Sequence, residues 1–137
     1  MKILGLGVVV LPLLLAALGG AGGARAGETH EYEIAANDGY LLQYAKARGI
    51  LCLGVEPTAS TAAAAREKGI EIVEDFFGVE LAEKLVAEGW RADLMAANNV
   101  LAHVPDINDF VSGFATMLAP EGVATFEFPH LLNMVIE

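Results

Sequence analysis

Four short polar clusters hold the residues of this chain that could grip a small ligand. Glu33-Ile34-Ala35-Ala36-Asn37-Asp38-Gly39 places two acids and an amide around a turn with one glycine. Glu56 follows Leu53-Gly54-Val55, 23 residues after Glu33. An acid in that place can accept both hydroxyls of a ribose. Asp75-Phe76 pairs a carboxylate, suited to an exocyclic amine, with a ring that can lie against a purine. Asn98-Asn99 offers amide donors and acceptors for a zwitterionic end group. His103 and His130 follow the later clusters, where an imidazole could remove a proton. Each cluster also has a plainer reading. Asn37-Asp38-Gly39 reads as a turn with a helix cap, Glu56 as a solvated strand end, and Phe76 and Phe77 as core. Asn98-Asn99 reads as loop, His103 as a cap or packing residue, and His130 as a helix start.

The chemistry of the first cluster discriminates among ligands. A dinucleotide site would show G-x-G-x-x-G there, and only one glycine is present. Asp38 stands where a helix N-terminus would receive a pyrophosphate, with no basic residue close in sequence to compensate. No G-x-x-x-x-G-K-[ST] loop occurs either. S-adenosylmethionine (SAM) carries a sulfonium and an ammonium instead of phosphates, so the acids suit it, and Gly39 would let the backbone approach it. The single cysteine, Cys52, lies within an apolar strand and reads as core. One cysteine and three scattered histidines provide no metal-ligand spacing.

The elements that must position these clusters alternate between strand and helix. Strands are expected at 32–35, 50–55, 70–73, 92–97 and 123–128, the second nearly all apolar as in a doubly covered sheet. Helices are expected at 40–48, 57–68, 78–88 and 106–118. Gly49, Gly69 and Gly89 end the first three, and Phe110, Phe114 and Leu118 form one row on the fourth. Pro120-Glu121-Gly122 reads as a turn, Pro129 as a strand end, and 130–137 as the start of another helix. Short turns between such elements imply right-handed crossovers and a parallel sheet, with ligands at the carboxyl ends of the strands. Four clusters then fall at four successive strand ends.

The chain of 137 residues is 55% hydrophobic and carries a formal charge of -10, which suits one folded domain. Its acidity opposes binding to nucleic acid or an anionic membrane. Residues 1–27 differ from the rest. They hold Lys2, Arg25 and no acid around an apolar run that ends in Ala24-Arg25-Ala26, like a signal peptide. That run is shorter than the ~20 apolar residues of a spanning helix. A first strand and turn, a poorly anchored helix and a mismatched gene start are the other readings. The expected organisation is a leader at 1–27 and a ligand-binding domain at 28–137.

Taken together, Glu33 through Leu42, Leu53-Gly54-Val55-Glu56-Pro57, Phe76-Phe77-Gly78, Asn98 through Asp106 and Glu127-Phe128-Pro129-His130 resemble the SAM-dependent C-methyltransferases of nucleotide-linked keto-deoxysugars. The resemblance covers about residues 31–137. It implies a Rossmann-like class I methyltransferase fold, a three-layer α/β sandwich with a mainly parallel sheet. It implies that Asn37, Asp38, Gly39, Glu56, Asn98 and Asn99 hold SAM, with Phe76 near the adenine; Glu33 and Asp75 lie in the same clusters. Ala35 departs from the family, which has glycine there, so its methyl would crowd the ligand or be absorbed by a small shift. The family's N-terminal cysteine clusters, its last strands, its sugar-binding portion and its His-Glu-His segment have no counterpart here. The chain is therefore expected to be truncated after about five strands.

Several expectations follow from that resemblance. SAM and nucleotide sugars are cytosolic, so a mismatched gene start and a cytoplasmic location are favoured over export or membrane attachment. A nucleotide-linked sugar is the expected partner, methylated through a carbanion or enolate, with His103 or His130 as base. The chain alone is expected to transfer methyl slowly or not at all, because alignment accounts for ~7–11 kcal/mol of such a barrier. The rival classes are an inactive SAM-binding fragment and a nicotinamide-dependent Rossmann oxidoreductase. Replacing Glu56 is expected to spare folding, as a strand-end acid lies outside the core.

Overall fold

The computed structural model describes residues 2–5 and 29–127. Its strands are β1 (Lys2–Gly5), β2 (His30–Ile34), β3 (Leu51–Val55), β4 (Glu71–Val73), β5 (Ala92–Asn98) and β6 (Leu118–Glu127). Its helices are α1 (Leu42–Lys46), α2 (Ala59–Glu67), α3 (Val79–Ala87) and α4 (Ile107–Met117). A single 3-10 turn, Leu101–His103, precedes α4.

The sheet order is β1-β6-β5-β2-β3-β4, and every pairing is parallel. The five strands expected from the apolar runs are all present. The sixth, β1, comes from the apolar leader and pairs with β6 from Lys2↔Val123 to Gly5↔Phe126. Of the readings open for residues 1–27, a first strand matches that pairing. The rest of the leader, Phe128, Pro129 and the helix expected at 130–137 lie outside the described residues. No helix among the described residues is long and apolar enough to cross a membrane.

Strand alternation divides the interior into two layers. Tyr32, Ile34, Leu53 and Val55 point toward α3 and α4 and pack with Leu81, Leu85, Phe110 and Phe114. On the opposite face Ala36, Leu42, Ala62, Ala65, Ile70 and Ile72 form a smaller cluster under α1 and α2. Gly54 makes that thin layer fit, since a Cβ there would collide with Ile72 and approach Ala36 to 2.8 Å. Cys52 borders this cluster and is half-buried rather than fully enclosed. Its thiol donates to the Ile50 carbonyl at 3.2 Å, and burial pushes its pKa up to about 11, so it is an inert thiol.

Three boundaries differ from the sequence pattern. β2 stops at Ile34 because Ala35 takes a left-handed backbone, φ 59°. α1 is five residues long, since turns occupy both of the ends expected to be helical. β6 begins at Leu118, directly after α4, and the Pro120-Glu121-Gly122 turn lies inside it. Ala92 pairs with Leu118 and Leu94 with Val123, so residues 119–122 bulge from the ladder.

The aromatic row seen in the sequence is the centre of the larger core. The Phe114 ring lies 5.2 Å from those of Phe77 and Phe110 and 4.8 Å from that of Phe126. Phe114→Ala should therefore lower stability by about 3–5 kcal/mol, read from urea unfolding. A loss near zero would mean that this row is not the core.

Candidate functional site

β2 ends beside the place where strand order reverses, because β3 and β5 flank it and continue the sheet in opposite directions. The crevice outside such a point is where α/β sheets bind ligands. The turn after β2 is tightly wound. Ala35, Asn37 and Gly39 all have left-handed backbones, with φ of 59°, 49° and 73°. The Ala36 N–H donates to the Val55 carbonyl at 3.1 Å and the Gly39 N–H to the Ala36 carbonyl at 2.9 Å. The Asn37 side-chain amide donates back to the Ala35 carbonyl at 3.0 Å. The glycine that the family has at position 35 is thus explained by backbone angle, since an alanine is strained there.

Glu56 braces this turn from the neighbouring strand. It is only 5% exposed, not a solvated strand end. One carboxylate oxygen accepts the Asn37 N–H at 3.1 Å and the other the Thr58 N–H at 2.9 Å. Each oxygen keeps lone pairs for a further donor. The carboxylate also ties two loops together, so the expectation that its loss spares folding is withdrawn. Charge-assisted bonds of this kind contribute ~1.5–3 kcal/mol each.

Glu33 lies on the sheet face away from the aromatic core, with Glu31 two residues before it. Both are buried, and Glu33 Oε2 has no hydrogen-bond partner among the described residues. Burial, and then the charges of Glu31 and Asp38, push the Glu33 pKa up to about 8. Burial also raises that of Glu31, which Arg48 partly offsets.

Asp38 is not the uncompensated charge expected from its sequence neighbours. The Lys68 ammonium donates to its carboxylate at 2.6 Å and to its carbonyl at 2.8 Å. This bond holds the Asp38 carboxyl below its ordinary range. The exclusion of phosphate ligands therefore rests on the missing glycines and not on a lone Asp38. Gly39 also has a packing task that its sequence neighbours do not reveal. A Cβ there would collide with Ile70 and press on Ala65 at 3.2 Å, so glycine lets the turn pack on its own α2–β4 layer, with no approach to a ligand required.

The remaining clusters sit at the same edge. Asp75 accepts the Phe76 N–H at 2.7 Å, and the Phe76 ring is 80% exposed. Phe77 turns inward to the aromatic core, so the two phenylalanines divide the roles that the sequence left open. Asn98 is the last residue of β5, opposite Glu127, and Asn99 donates its N–H to the Glu127 carbonyl at 2.7 Å with φ 56°. His103 is exposed in the turn that follows, while the cap of α4 is Asp106, which accepts the Asn108 and Asp109 N–H groups. His130 lies outside the described residues. His30 belongs to the opposite edge, 3.6 Å from Asp93. Glu33, Asn37, Glu56, Asp75, Phe76, Asn98, Asn99 and His103 thus end or follow strands at one edge, whereas Asp38 and Gly39, in the turn after β2, contact Lys68, Ile70 and Ala65, where the chain enters β4. Two contributors were missed by sequence reasoning: Lys68, and Asp109, which accepts the Val79 N–H of α3 at 3.2 Å. Only the pattern of a lysine closing α2 hinted at the first.

This strand order, with helices on both faces and acids clustered at a switch point, defines an α/β fold of the kind that binds adenosine ligands. The chain belongs to the methyltransferase-domain family, whose model matches residues 32–124. The C-methyltransferase NovU of Streptomyces niveus is 29% identical over 103 residues, 75% of this chain and 24% of the relative. The chain therefore spans about a quarter of that relative's length. A SAM-dependent methyltransferase from Mesorhizobium loti superposes with a TM-score of 0.62 at 19% identity, over 87% of this chain and 53% of the other. One from Agrobacterium tumefaciens gives 0.61 at 12% identity, over 90% and 45%. The plantazolicin methyltransferase BpumL, solved with SAH, gives 0.58 at 11% identity, over 69% and 37%. These likenesses establish the Rossmann-like methyltransferase fold.

Two measurements probe the strain and the buried charge. Ala35→Gly should stabilise the chain by about 1 kcal/mol, since the left-handed angle no longer costs a side-chain clash; a destabilised variant would contradict the angle. Glu33 keeps its proton to about pH 8 when folded, against an ordinary value of 4.5. Between those values the folded state holds more protons than the unfolded one, so stability falls as pH rises and levels off above. Glu33→Gln should flatten that decline in urea midpoints taken at about pH 5 and about pH 8.5. An unchanged decline would place Glu33 in contact with water.

Proposed function

We propose that this chain is the SAM-binding part of a methyltransferase that acts in the cytoplasm and methylates a carbon of a nucleotide-linked keto-sugar. The observation that carries the cofactor reading is Glu56. Its buried carboxylate is fixed by two N–H donors at the end of β3, beside the turn after β2, with acceptor capacity left for a ribose diol. Glu33 fits the same ligand from the other side of the turn. Its buried Oε2 lacks a partner among the described residues, and a cationic group would supply one. Phe76 offers an open ring face and Asp75 a carboxylate to the adenine, and Asn98 and Asn99 would hold the amino-acid end. The cofactor, when bound, supplies an electrophilic methyl group.

The acceptor class is supported by the NovU relative, a C-methyltransferase, and by the resemblance of the strand-end motifs to those of the sugar enzymes. Carbon methylation needs a proton removed beside the keto group. His103, exposed in the turn after β5, is the first candidate for that base. His130 is the second candidate.

Glu56→Ala, checked for fold by circular dichroism, should bind S-adenosylhomocysteine at least about tenfold more weakly in calorimetry. It should also unfold at lower urea, because two loops lose their brace. Unchanged affinity in a folded variant would remove Glu56 from the site. Tighter binding of NADH than of S-adenosylhomocysteine by the unmodified chain would favour the oxidoreductase reading.

A further inference from the structure

We propose that Lys68 is a positioning residue of this site: by binding both the backbone carbonyl and the carboxylate of Asp38, it locks the turn after β2 and offsets part of the negative charge there. The proposal rests on the cofactor reading above and goes beyond it, to a residue at the far end of α2.

Exposed ion pairs are generally weak, and this one is partly exposed on both sides. Three features distinguish it. First, Lys68 Nζ reaches a main-chain carbonyl as well as a side chain, at 2.8 Å and 2.6 Å, so it fixes backbone. Second, Lys68 is itself held. As the residue closing α2, it presents its carbonyl to the Lys46 ammonium of α1 at 3.3 Å, and Lys46 also bonds to the Gly69 carbonyl. The turn, α1 and the end of α2 are thereby closed into one ring of bonds. Third, Asp38 sits between two left-handed residues, Asn37 and Gly39, in a turn whose other side is fixed by Glu56. Lys68, which closes α2, and Glu56, which follows β3, grip the adjacent residues Asp38 and Asn37, and releasing either leaves the turn free to unwind.

The electrostatic role follows from the same geometry. Glu33 is buried, and the described groups whose charges act on it are Glu31 on β2 and Asp38 on the turn, while the neutral Cys52 thiol of β3 lies in the same field. Arg48, after α1, acts on Glu31, and Lys46 acts on Cys52. Lys68 alone neutralises Asp38 among the described residues. Asp38 already raises Glu33 with Lys68 in place, and losing the lysine would leave that charge less offset, so that Glu33 would ionise at still higher pH. A cationic ligand needs Glu33 ionised, so Lys68, by offsetting Asp38, extends to lower pH the range in which the site accepts it, while burial remains the main cause of the shift.

The test compares wild type, Lys68→Met and Lys68→Arg. S-adenosylhomocysteine binding is measured by calorimetry across pH, and hydrogen exchange is followed at the Gly39 and Gln43 amides, whose bonds close the turn. Lys68→Met should bind roughly threefold to tenfold more weakly. Its binding midpoint should move to higher pH, and both amides should exchange faster. Lys68→Arg should restore the pH midpoint and most of the protection. Equal affinity, midpoint and exchange in all three proteins would overturn the proposal. Equal weakening in both variants with an unmoved midpoint would reduce Lys68 to a structural residue and also overturn it. If the wild type fails to bind S-adenosylhomocysteine, the cofactor reading falls, and the exchange rates alone decide the clamp.

Discussion

All five strand pairings are parallel, and each crossover must therefore carry the chain back across a face of the sheet before the next strand begins. That constraint sends the carboxyl ends of β2, β3, β4 and β5 to one edge. It also places α1 and α2 on one face and α3 and α4 on the other, each closing a layer of core. Glu33, Glu56, Asp75 and Asn98 lie from 33 to 98 in sequence, yet the pairing brings them to the same rim. Without parallel pairing the clusters would be unrelated surface features.

Within that frame the site is held under strain. Three left-handed residues in five, one of them an alanine, cost free energy that the surrounding bonds offset. Glu56 contributes one of those bonds, to Asn37, and Lys68 two more, to Asp38. Glu33 adds a second unfavourable item, a buried carboxyl with an unsatisfied oxygen. An unligated site with these features is arranged to gain when a cation and a diol arrive, because both supply what the buried acids lack.

Much of the architecture could be read from the chain itself. Apolar runs at the strands and glycines after the helices marked all five strands and four helices of residues 29–127. The Phe110 and Phe114 spacing identified the face of α4 that is buried. The failures have physical causes. The Pro120-Glu121-Gly122 turn looked like a break, but a parallel neighbour can pair on both sides of a bulge. The packing task of Gly39 was not legible, because its space is limited by Ile70 and Ala65, contacts set by the crossover. The partner of Asp38 lay thirty positions away on α2, beyond what local spacing conveys. Strand-end residues were legible because topology fixes them, and their partners were not, because side-chain pairing depends on the third dimension.

The central claim is that the carboxyl edge of this sheet receives an adenosine cofactor. Titrating isotope-labelled chain with S-adenosylhomocysteine and following amide shifts by NMR tests it most directly. The largest changes are expected at residues 35–40, 56–58, 75–76 and 98–99, with the opposite edge around Leu51, Arg91 and Asp93 unmoved. Changes centred on that opposite edge, or no changes at saturating ligand, would contradict the account.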